Sequence, residues 1–322
     1  MEKHYRIAFT GLGSIARRHI CNVVALLDAR GCTYEIDLYR TSLQKPLPEG
    51  MAPLVHAVHM YADPIPHGKE YDVVFVTNPT SLHLDAVLKF APFTKAFFIE
   101  KPVFDTAVID ASVYKIFSEK VCYVACPLRY NSVLGYVRDY IDLASVISAR
   151  AISSSYLPDW RPGQDYRDCY SAHRSMGGGV GIDLIHEWDY LTWLFGMPQE
   201  CHSILCKLSP LEIDSDDLAI YIARTERTAI EVHLDYFGRK PVRTLDLFLP
   251  DDTVHCDLLA GEICYLKGGK TVCLNGDRNS FQKREIEHFF RIVNREIVND
   301  STPEHALEVL SLTSGNSNTY LI

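Results

Sequence analysis

The chain opens with a strand, a glycine turn and a helix, a start compatible with few folds. Residues Tyr5 to Thr10 form a short apolar run that ends at Gly11-Leu12-Gly13-Ser14-Ile15-Ala16, and a helical pattern then carries through Arg17, Arg18 and His19 to Leu27. In such a turn the first glycine permits the tight bend, the second lets the backbone approach a pyrophosphate, and the small third residue keeps helix and strand close. The helix N-terminus adds oriented N–H donors and positive potential. A lone GxGxxA turn is a weak signal, because glycine turns between strands and helices are common. Here it stands at the first strand of a segment in which strands and helices alternate, with further apolar runs at Tyr34 to Tyr39, Tyr71 to Val76, Ala96 to Ile99 and Val121 to Ala125. That alternation predicts a doubly wound parallel sheet over residues 1–125 that binds a dinucleotide at the carboxyl ends of its strands.

Those strand ends supply the candidate cofactor residues. Gly11, Gly13, Ser14 and Ile15 form the first turn. The second strand delivers the residue that reads the adenosine ribose, commonly an acid in NAD-binding proteins, and here it ends in Tyr39-Arg40-Thr41-Ser42. A guanidinium beside two hydroxyls suits a 2′-phosphate, which favours NADP over NAD. The competing reading makes Asp37 the ribose reader and leaves Arg40 in solvent. Residues 43–70, with Pro46, Pro48, Pro53, Pro64 and Pro66, read as irregular connection with one short strand around Leu54 to Met60. The next strand runs into Thr77-Asn78-Pro79-Thr80-Ser81-Leu82-His83, so that Thr77, Asn78, Pro79 and His83 lie where the middle of a cofactor passes, although plain turn chemistry with Thr80 as a cap fits equally. After Ala96 to Ile99 come Glu100, Lys101 and Pro102. A lysine at a strand end in a cofactor cleft has its proton affinity lowered by desolvation and by positive neighbours.

At 322 residues the chain is too long for one ordinary small core, and two domains, 1–125 and 126–322, are expected. A net charge of -9 argues against general attraction to nucleic acid or anionic membrane surfaces, so any phosphate must be held locally. No apolar run reaches bilayer length, and the opening residues run into a strand without a charged-apolar-cleavage arrangement, which places the protein in the cytoplasm. The ten cysteines are scattered without a CxxC pair, as befits reduced, mostly buried thiols. His56 and His59 are a possible metal pair with no accompanying ligand cluster, so no metal is expected.

The second half centres on Met176 to Phe195, MGGGVGIDLIHEWDYLTWLF. Gly177, Gly178 and Gly179 lack a β-carbon, so small groups can approach the backbone there. In the helical pattern that follows, Ile182, Ile185, Trp188, Leu191 and Phe195 make an apolar stripe, with Asp183, His186 and Tyr190 on a neighbouring polar face. A carboxylate and an imidazole one turn apart can act on the same hydroxyl; a glycine turn followed by a hydrogen-bonded core histidine is the competing reading. The stretch Ser153 to Arg174 reads as an irregular loop rich in Tyr, Trp, Arg and Asp, a composition suited to sugars. Trp160, Arg161, Tyr166, Arg167 and Tyr170 are its candidate contacts, and several can equally pack a sheet edge or a subunit contact. A helix is expected at Leu134 to Leu143, then alternating strands at Ser203 to Leu208, Leu218 to Arg224, Ala229 to Phe237, Arg243 to Leu249 and Thr253 to Leu258, and helices at Phe281 to Val298 and Pro303 to Leu312. This predicts an antiparallel sheet with one covered face. Apolar residues on its other face in places point to a homodimer or homotetramer.

GLGSIARRH at 11–19, TNPTSLH at 77–83, EKP at 100–102, LRYNS at 128–132 and the GGG-D-H helix occur in the order found in the Gfo/Idh/MocA oxidoreductases, which this chain resembles over nearly its whole length. The resemblance implies a Rossmann domain followed by an α/β domain with a large, mainly antiparallel sheet, and NAD(P)-dependent oxidation or reduction of a sugar-like alcohol. By the same resemblance, Lys101 contacts the reacting hydroxyl and the nicotinamide ribose, Asp183 and His186 are the acid and histidine pair, and Arg129 touches substrate or supports the site. Many members have the histidine four residues after the acid; here the separation is three.

The expected function is hydride transfer between nicotinamide and a hydroxyl-bearing carbon of a sugar, polyol or sugar nucleotide, with Lys101, His186 and Asp183 catalytic, and Arg129, Trp160, Arg161, Tyr166, Asp183 and His186 contacting substrate. The alternative is a non-catalytic NAD(P)-binding regulator of the same fold. A short-chain dehydrogenase lacks support because the one Tyr-xxx-Lys spacing, Tyr236 to Lys240, lies in the second half among the alternating strands and not in the segment that carries the glycine turn, and position 190 is Tyr where a zinc hydrolase motif from His186-Glu187 needs His.

Overall fold

The computed structural model describes residues 3–274 and 276–314. In chain order the elements are β1 (His4–Thr10), α1 (Ser14–Ala29), β2 (Thr33–Arg40), β3 (Ala57–Met60), β4 (Val73–Val76), α2 (His83–Phe90), β5 (Ala96–Ile99), α3 (Ala111–Glu119) and β6 (Val121–Val124). Then follow α4 (Ser132–Tyr140), β7 (Ser148–Tyr156), α5 (Val180–Asp183), α6 (His186–Phe195), β8 (Glu200–Cys206), β9 (Leu218–Arg224), β10 (Ala229–Asp235), β11 (Phe237–Phe248), β12 (Thr253–Asp257), β13 (Glu262–Tyr265), β14 (Thr271–Cys273), α7 (Arg278–Val293) and α8 (Pro303–Thr313). The chain divides into two compact units, Met1–Ala125 with Gln282–Leu307, and Cys126–Phe281 with Glu308–Ile322.

The first unit holds a six-stranded sheet in the order β3-β2-β1-β4-β5-β6. Every pairing in it is parallel. This is the doubly wound order whose switch point falls between β1 and β4, where dinucleotides bind. Strands covered on both faces need no alternation, and the four residues of β4 and of β5 are all buried. Their aromatic side chains form a row: Phe9 stacks on Phe75 at 4.4 Å between ring centroids, Phe75 on Phe98 at 5.0 Å, and Phe289 of α7 meets Phe98 edge-on at 5.2 Å. That row accounts for the presence of Gln282–Leu307 in this unit. The same segment satisfies the edge strand β6, because Asn299 donates to the Cys122 carbonyl at 2.7 Å and Ser301 to the Val124 carbonyl at 2.7 Å.

The second unit is built on an eight-stranded sheet ordered β14-β13-β12-β11-β7-β10-β9-β8, antiparallel except for the β7–β10 pair. One face is apolar and buried, with Ala151, Leu245, Val254, Ile230, Val232 and Tyr221 closely covered. Trp188 of α6 meets Tyr221 edge-on at 5.4 Å. The other face carries exposed Ile204 and Ile222 among charged side chains, including the Arg150–Asp246 pair at 2.8 Å.

The expected parallel and mainly antiparallel sheets are both present. Several elements depart from the sequence reading. β7 runs to Tyr156 through Ser153, Ser154 and Ser155, whose small polar side chains hide the alternation of a strand. The short strands β13 and β14 and the helix α3 were not expected. No helix among the described residues is long and apolar enough to cross a membrane. No disulfide joins any of the ten cysteines, and only four of them, Cys122, Cys126, Cys169 and Cys256, are buried, fewer than expected.

Candidate active site

In the first unit, β1 hands over to α1 through Gly11, whose backbone has φ +83° and whose N–H donates to the Tyr39 carbonyl at 2.8 Å. A β-carbon added there would lie 3.2 Å from Asn78 Cα and 3.4 Å from the Thr77 carbonyl, so a side chain would collide with the neighbouring strand end as well as strain the bend. Gly13 and Ser14 are exposed, and a β-carbon on Gly13 would meet nothing within 4 Å. No side chain caps α1 and no acid stands in its first turn. The N–H groups of this helix end, with Ile15 partly covered beside them, therefore face an approach without a carboxylate in the helix's first turn, which fits a pyrophosphate.

Arg40 is the last residue of β2, followed by exposed Thr41 and half-buried Ser42. Its guanidinium donates to the Lys45 carbonyl at 2.8 Å, and the Ser42 hydroxyl accepts from the Gln44 N–H at 3.3 Å. Asp37, the competing ribose reader, is buried in the strand and wholly engaged. Lys69 Nζ lies 2.8 Å from its carboxylate, Tyr71 donates to it at 2.8 Å, and His56 and His59 face it at 3.3 and 3.4 Å. Burial pushes this carboxyl up, but Lys69, Tyr71 and His56 outweigh it and hold the group below its ordinary value. His56 and His59 are thus neighbours of Asp37, and among the described residues no group of three His, Cys, Asp or Glu side chains is placed to hold a metal ion.

The β4 turn is fixed by its own side chains. Thr77 donates to the Thr10 carbonyl at 2.8 Å, Thr10 donates to Asn78 Oδ1 at 3.2 Å, and Asn78 donates to the Leu82 carbonyl at 3.1 Å. Pro79, exposed, precedes a single tight turn at Thr80–Leu82. His83 is buried, with Nε2 3.0 Å from the Asn78 carbonyl and Nδ1 3.1 Å from that of Pro102. It ties the β4 turn to the segment after β5, and its burial lowers its proton affinity. Glu100 accepts from His19 Nε2 at 2.5 Å and from the Lys101 N–H at 3.2 Å. Burial raises the Glu100 carboxyl, yet His19 and then Lys101 bring it below its ordinary value, so a carboxylate stands beside the half-buried Lys101. The Lys101–Pro102 peptide is cis.

In the second unit the expected single helix is two. α5 ends at Asp183, Leu184 and Ile185 make a turn, and α6 begins at His186. Asp183 is buried and accepts a 2.5 Å hydrogen bond from the hydroxyl of Tyr236, itself fully buried; Tyr170 also bonds to it. Burial first, and the Asp183 charge second, push both phenols well above the ordinary tyrosine range. They stay protonated and can donate. His186, half-buried, opens α6 one turn later. Tyr190, expected on the polar face, is fully buried, and so is Glu187, whose carboxylate meets Arg243 at 2.7 Å. The helix packs on a sheet that brings its own arginine, which a stripe count on the helix alone does not reveal.

Gly178 also reads differently in three dimensions. A β-carbon there would lie 2.2 Å from the Tyr170 carbonyl, 2.7 Å from that of Ser171 and 2.8 Å from that of His173. The space left by the missing side chain is taken by the chain's own loop, which corrects the expectation of ligand access at this glycine. The close approach fixes the Tyr170 backbone, and its phenol bonds Asp183 at the end of α5.

Trp160 donates to Ser155 at 2.9 Å and sets its edge on Tyr236 at 5.3 Å. Arg161 is exposed and lies over the Tyr170 ring at 5.3 Å. Tyr166 accepts from the Glu212 N–H at 3.2 Å, while Arg167 is tied to Asp165 at 2.7 Å and to Glu212 at 3.0 Å. Trp160, Arg161, Gln164, Tyr166 and Cys169 line a small surface crevice with about 10 Å³ of water-accessible space. Arg129, buried, makes a two-pronged pair with Asp189 at 2.6 and 3.1 Å and lies 6.0 Å from the Trp193 ring.

No family profile and no curated relative matches the sequence. Solved structures do. UDP-N-acetylglucosamine 3-dehydrogenase GnnA from Acidithiobacillus ferrooxidans matches with a TM-score of 0.73 at 17% identity, over 96% of this chain and 95% of its own. The WlbA dehydrogenase from Bordetella pertussis, solved with NADH and UDP-GlcNAcA, matches with a TM-score of 0.79 at 16% identity, over 97% and 95%. A levoglucosan dehydrogenase in complex with NADH and levoglucosan gives 0.79 at 16% identity over the same shares. The chain has the fold of these sugar dehydrogenases. The Gfo/Idh/MocA resemblance read from the sequence is borne out at that level.

Within this dehydrogenase fold, the first unit gathers Gly11, Gly13, Ser14, Ile15, Thr77 and Asn78 at the β1–β4 switch point, with Glu100 and Lys101 at the end of β5. The second gathers Asp183, Trp160 and Arg161 around Tyr170 and Tyr236, with His186 opening the next helix. Sequence reasoning missed His19 and Tyr236. The only signal for His19 was its presence in the GLGSIARRH stretch; Tyr236, at the end of a strand, gave none.

Proposed function

We propose that this chain is an NAD(P)-dependent oxidoreductase that acts on a hydroxyl-bearing carbon of a sugar, polyol or sugar nucleotide. The observation that carries the reading is the uncapped α1 end at the β1–β4 switch point, where Gly11 is forced by Asn78 and the approach to Gly13 is open. The solved relatives of this fold, described as dehydrogenases and in two cases seen with NADH and a sugar or sugar nucleotide, support the same reading. Arg40, Thr41 and Ser42 at the end of β2 favour NADP over NAD, since Asp37 is committed elsewhere. The exposed Ile204 and Ile222 on the open sheet face support a homodimer or homotetramer.

A bound nicotinamide would accept or supply hydride. The protein's part is positioning and charge. In the oxidative direction His186 takes the proton of the substrate hydroxyl, Lys101 stabilises the negative charge developing on that oxygen, and Asp183 orients the imidazole or a neighbouring hydroxyl. Asp183 suits an orienting role because the phenol of Tyr236 fixes one of its oxygens. Glu100, bonded to His19, also accepts from the Lys101 N–H. Arg129, Trp160, Arg161 and Tyr166 contact the substrate or brace the residues that do.

The test is to titrate the protein with NADPH and NADH, then to screen sugars, polyols and sugar nucleotides for nicotinamide turnover in the wild type and in Lys101→Met. We expect cofactor binding in both proteins and a loss of kcat on the order of 100-fold or more in the variant. Absence of cofactor binding sinks the dehydrogenase reading; undiminished turnover removes Lys101 from the chemistry.

A further inference from the structure

We propose that Arg161 is the residue that reads charge on the substrate, its guanidinium binding an anionic oxygen group, carboxylate or phosphate, carried by the sugar. The inference rests on the dehydrogenase reading above and narrows its substrate class.

The loop between β7 and α5 contains three arginines, Arg161, Arg167 and Arg174. Two are neutralised: Arg167 by Asp165 and Glu212, and Arg174 by Asp216 at 2.9 Å. Arg161 has no carboxylate partner among the described residues, and its contact is the face of Tyr170, 5.3 Å away. An aromatic face supports a guanidinium without occupying the N–H groups at its edge, which remain able to grip a carboxylate or phosphate in two-pronged fashion.

The place of this charge matters as much as its freedom. Tyr170 carries Arg161 on its ring and bonds Asp183, so one phenol separates the guanidinium from the carboxylate assigned to the chemistry. Arg161 also lines a small surface crevice with Trp160, Gln164 and Tyr166. Trp160 in turn touches Tyr236, the other phenol on Asp183. Asp165 shares that crevice and would repel an anion, but its carboxylate is drawn to Arg167 through both oxygens at 3.0 and 2.7 Å. A neutral sugar leaves Arg161 without a use. An anionic one completes it.

Binding of D-glucose, D-glucuronate and D-glucose 6-phosphate is measured by saturation-transfer NMR on the full chain, for the wild type, Arg161→Gln and Arg174→Gln. Arg161 is exposed, so its replacement leaves the core intact. We expect the wild type to bind at least one anionic sugar about tenfold more tightly than glucose, Arg161→Gln to lose that preference, and Arg174→Gln to keep it. Which anion loses affinity in Arg161→Gln tells carboxylate from phosphate. The assignment is overturned if neither anion is preferred, or if the preference survives in Arg161→Gln. NADH and NADPH titrations of the same proteins separate the two failures. Cofactor binding with unselective sugar binding refutes Arg161 alone, and failure to bind either cofactor refutes the dehydrogenase reading and this assignment with it.

Discussion

Removing one oxygen from Tyr236 tests whether Asp183 is held as tightly as its surroundings require. The Tyr236 hydroxyl donates to Asp183 at 2.5 Å, and both residues are buried, at 0% and 5% exposure. A hydrogen bond to a charged group contributes roughly 1.5–3 kcal/mol net, because the partner left behind keeps its desolvation penalty. Tyr236→Phe keeps the ring and its edge contact with Trp160, so the change is electrostatic and opens no large cavity. Tyr170 remains on Asp183 and softens the loss, which argues for about 2 kcal/mol. The chain's three tryptophans, Trp160, Trp188 and Trp193, all belong to the second unit, so their emission during urea unfolding follows the unit that carries the change. With a urea dependence near 2 kcal/mol per molar, the midpoint should fall by roughly 1 M. Tyr221→Phe is the matched control. Its buried hydroxyl donates to a neutral carbonyl, that of Thr313, at 3.5 Å, and its loss should cost less than about 1 kcal/mol. Equal shifts for the two variants, or a Tyr236→Phe midpoint within about 0.2 M of wild type, would refute the claim that this phenol carries the Asp183 charge.

Two further outcomes are expected. Gly178→Ala should destabilise the second unit by about 3 kcal/mol in the same unfolding assay, since its methyl group would sit 2.2 Å from a backbone carbonyl that has no side-chain freedom to yield; a change below about 0.5 kcal/mol refutes the close packing. Asp37 should give the first unit an acid-sensitive contribution. Its carboxyl is held below the ordinary 3.8, so the stabilisation is complete above that value and is lost as pH falls through the lower, folded-state one. Asp37→Asn should therefore be less stable at neutral pH and show a flatter stability-against-pH curve below about 4, measured by urea midpoints followed by circular dichroism; an unchanged acid limb counts against the buried ion cluster.

Much of the first unit was legible because its strands are short, apolar and covered on both faces. Residues such as Val73 to Val76 leave little else for the segment to be, and β5 was bounded to the residue. The glycine turn was legible for a similar reason: glycine is favoured at φ +83°, and a β-carbon there would press on Asn78 Cα at 3.2 Å. Gly178 shows where that logic divides. Absence of a β-carbon is equally the signature of ligand access and of the chain's own close approach, and sequence holds no term that chooses between them. The loop carbonyls of Tyr170, Ser171 and His173 make the choice, and they are brought there by folding.

Polar partnerships were the least legible part of the site. His19 meets Glu100 across 81 residues, and Tyr236 meets Asp183 across 53. Helix and strand periods report which side of an element is apolar, and they say nothing about which distant polar group will face a given residue. The choice between Asp37 and Arg40 turns on the same blindness. Both lie on β2, three residues apart, and a strand boundary drawn from sequence cannot separate them. What separates them is the pairing of Asp37 with Ala57 in β3 and the arrival of Lys69, His56 and Tyr71 around its carboxylate, which leaves Arg40 at the strand end. The cofactor preference proposed here is therefore a consequence of how the residues between β2 and β4 fold back on the sheet, and substitutions among His56, His59 and Lys69 bear on it although none of them stands at the carboxyl end of β2.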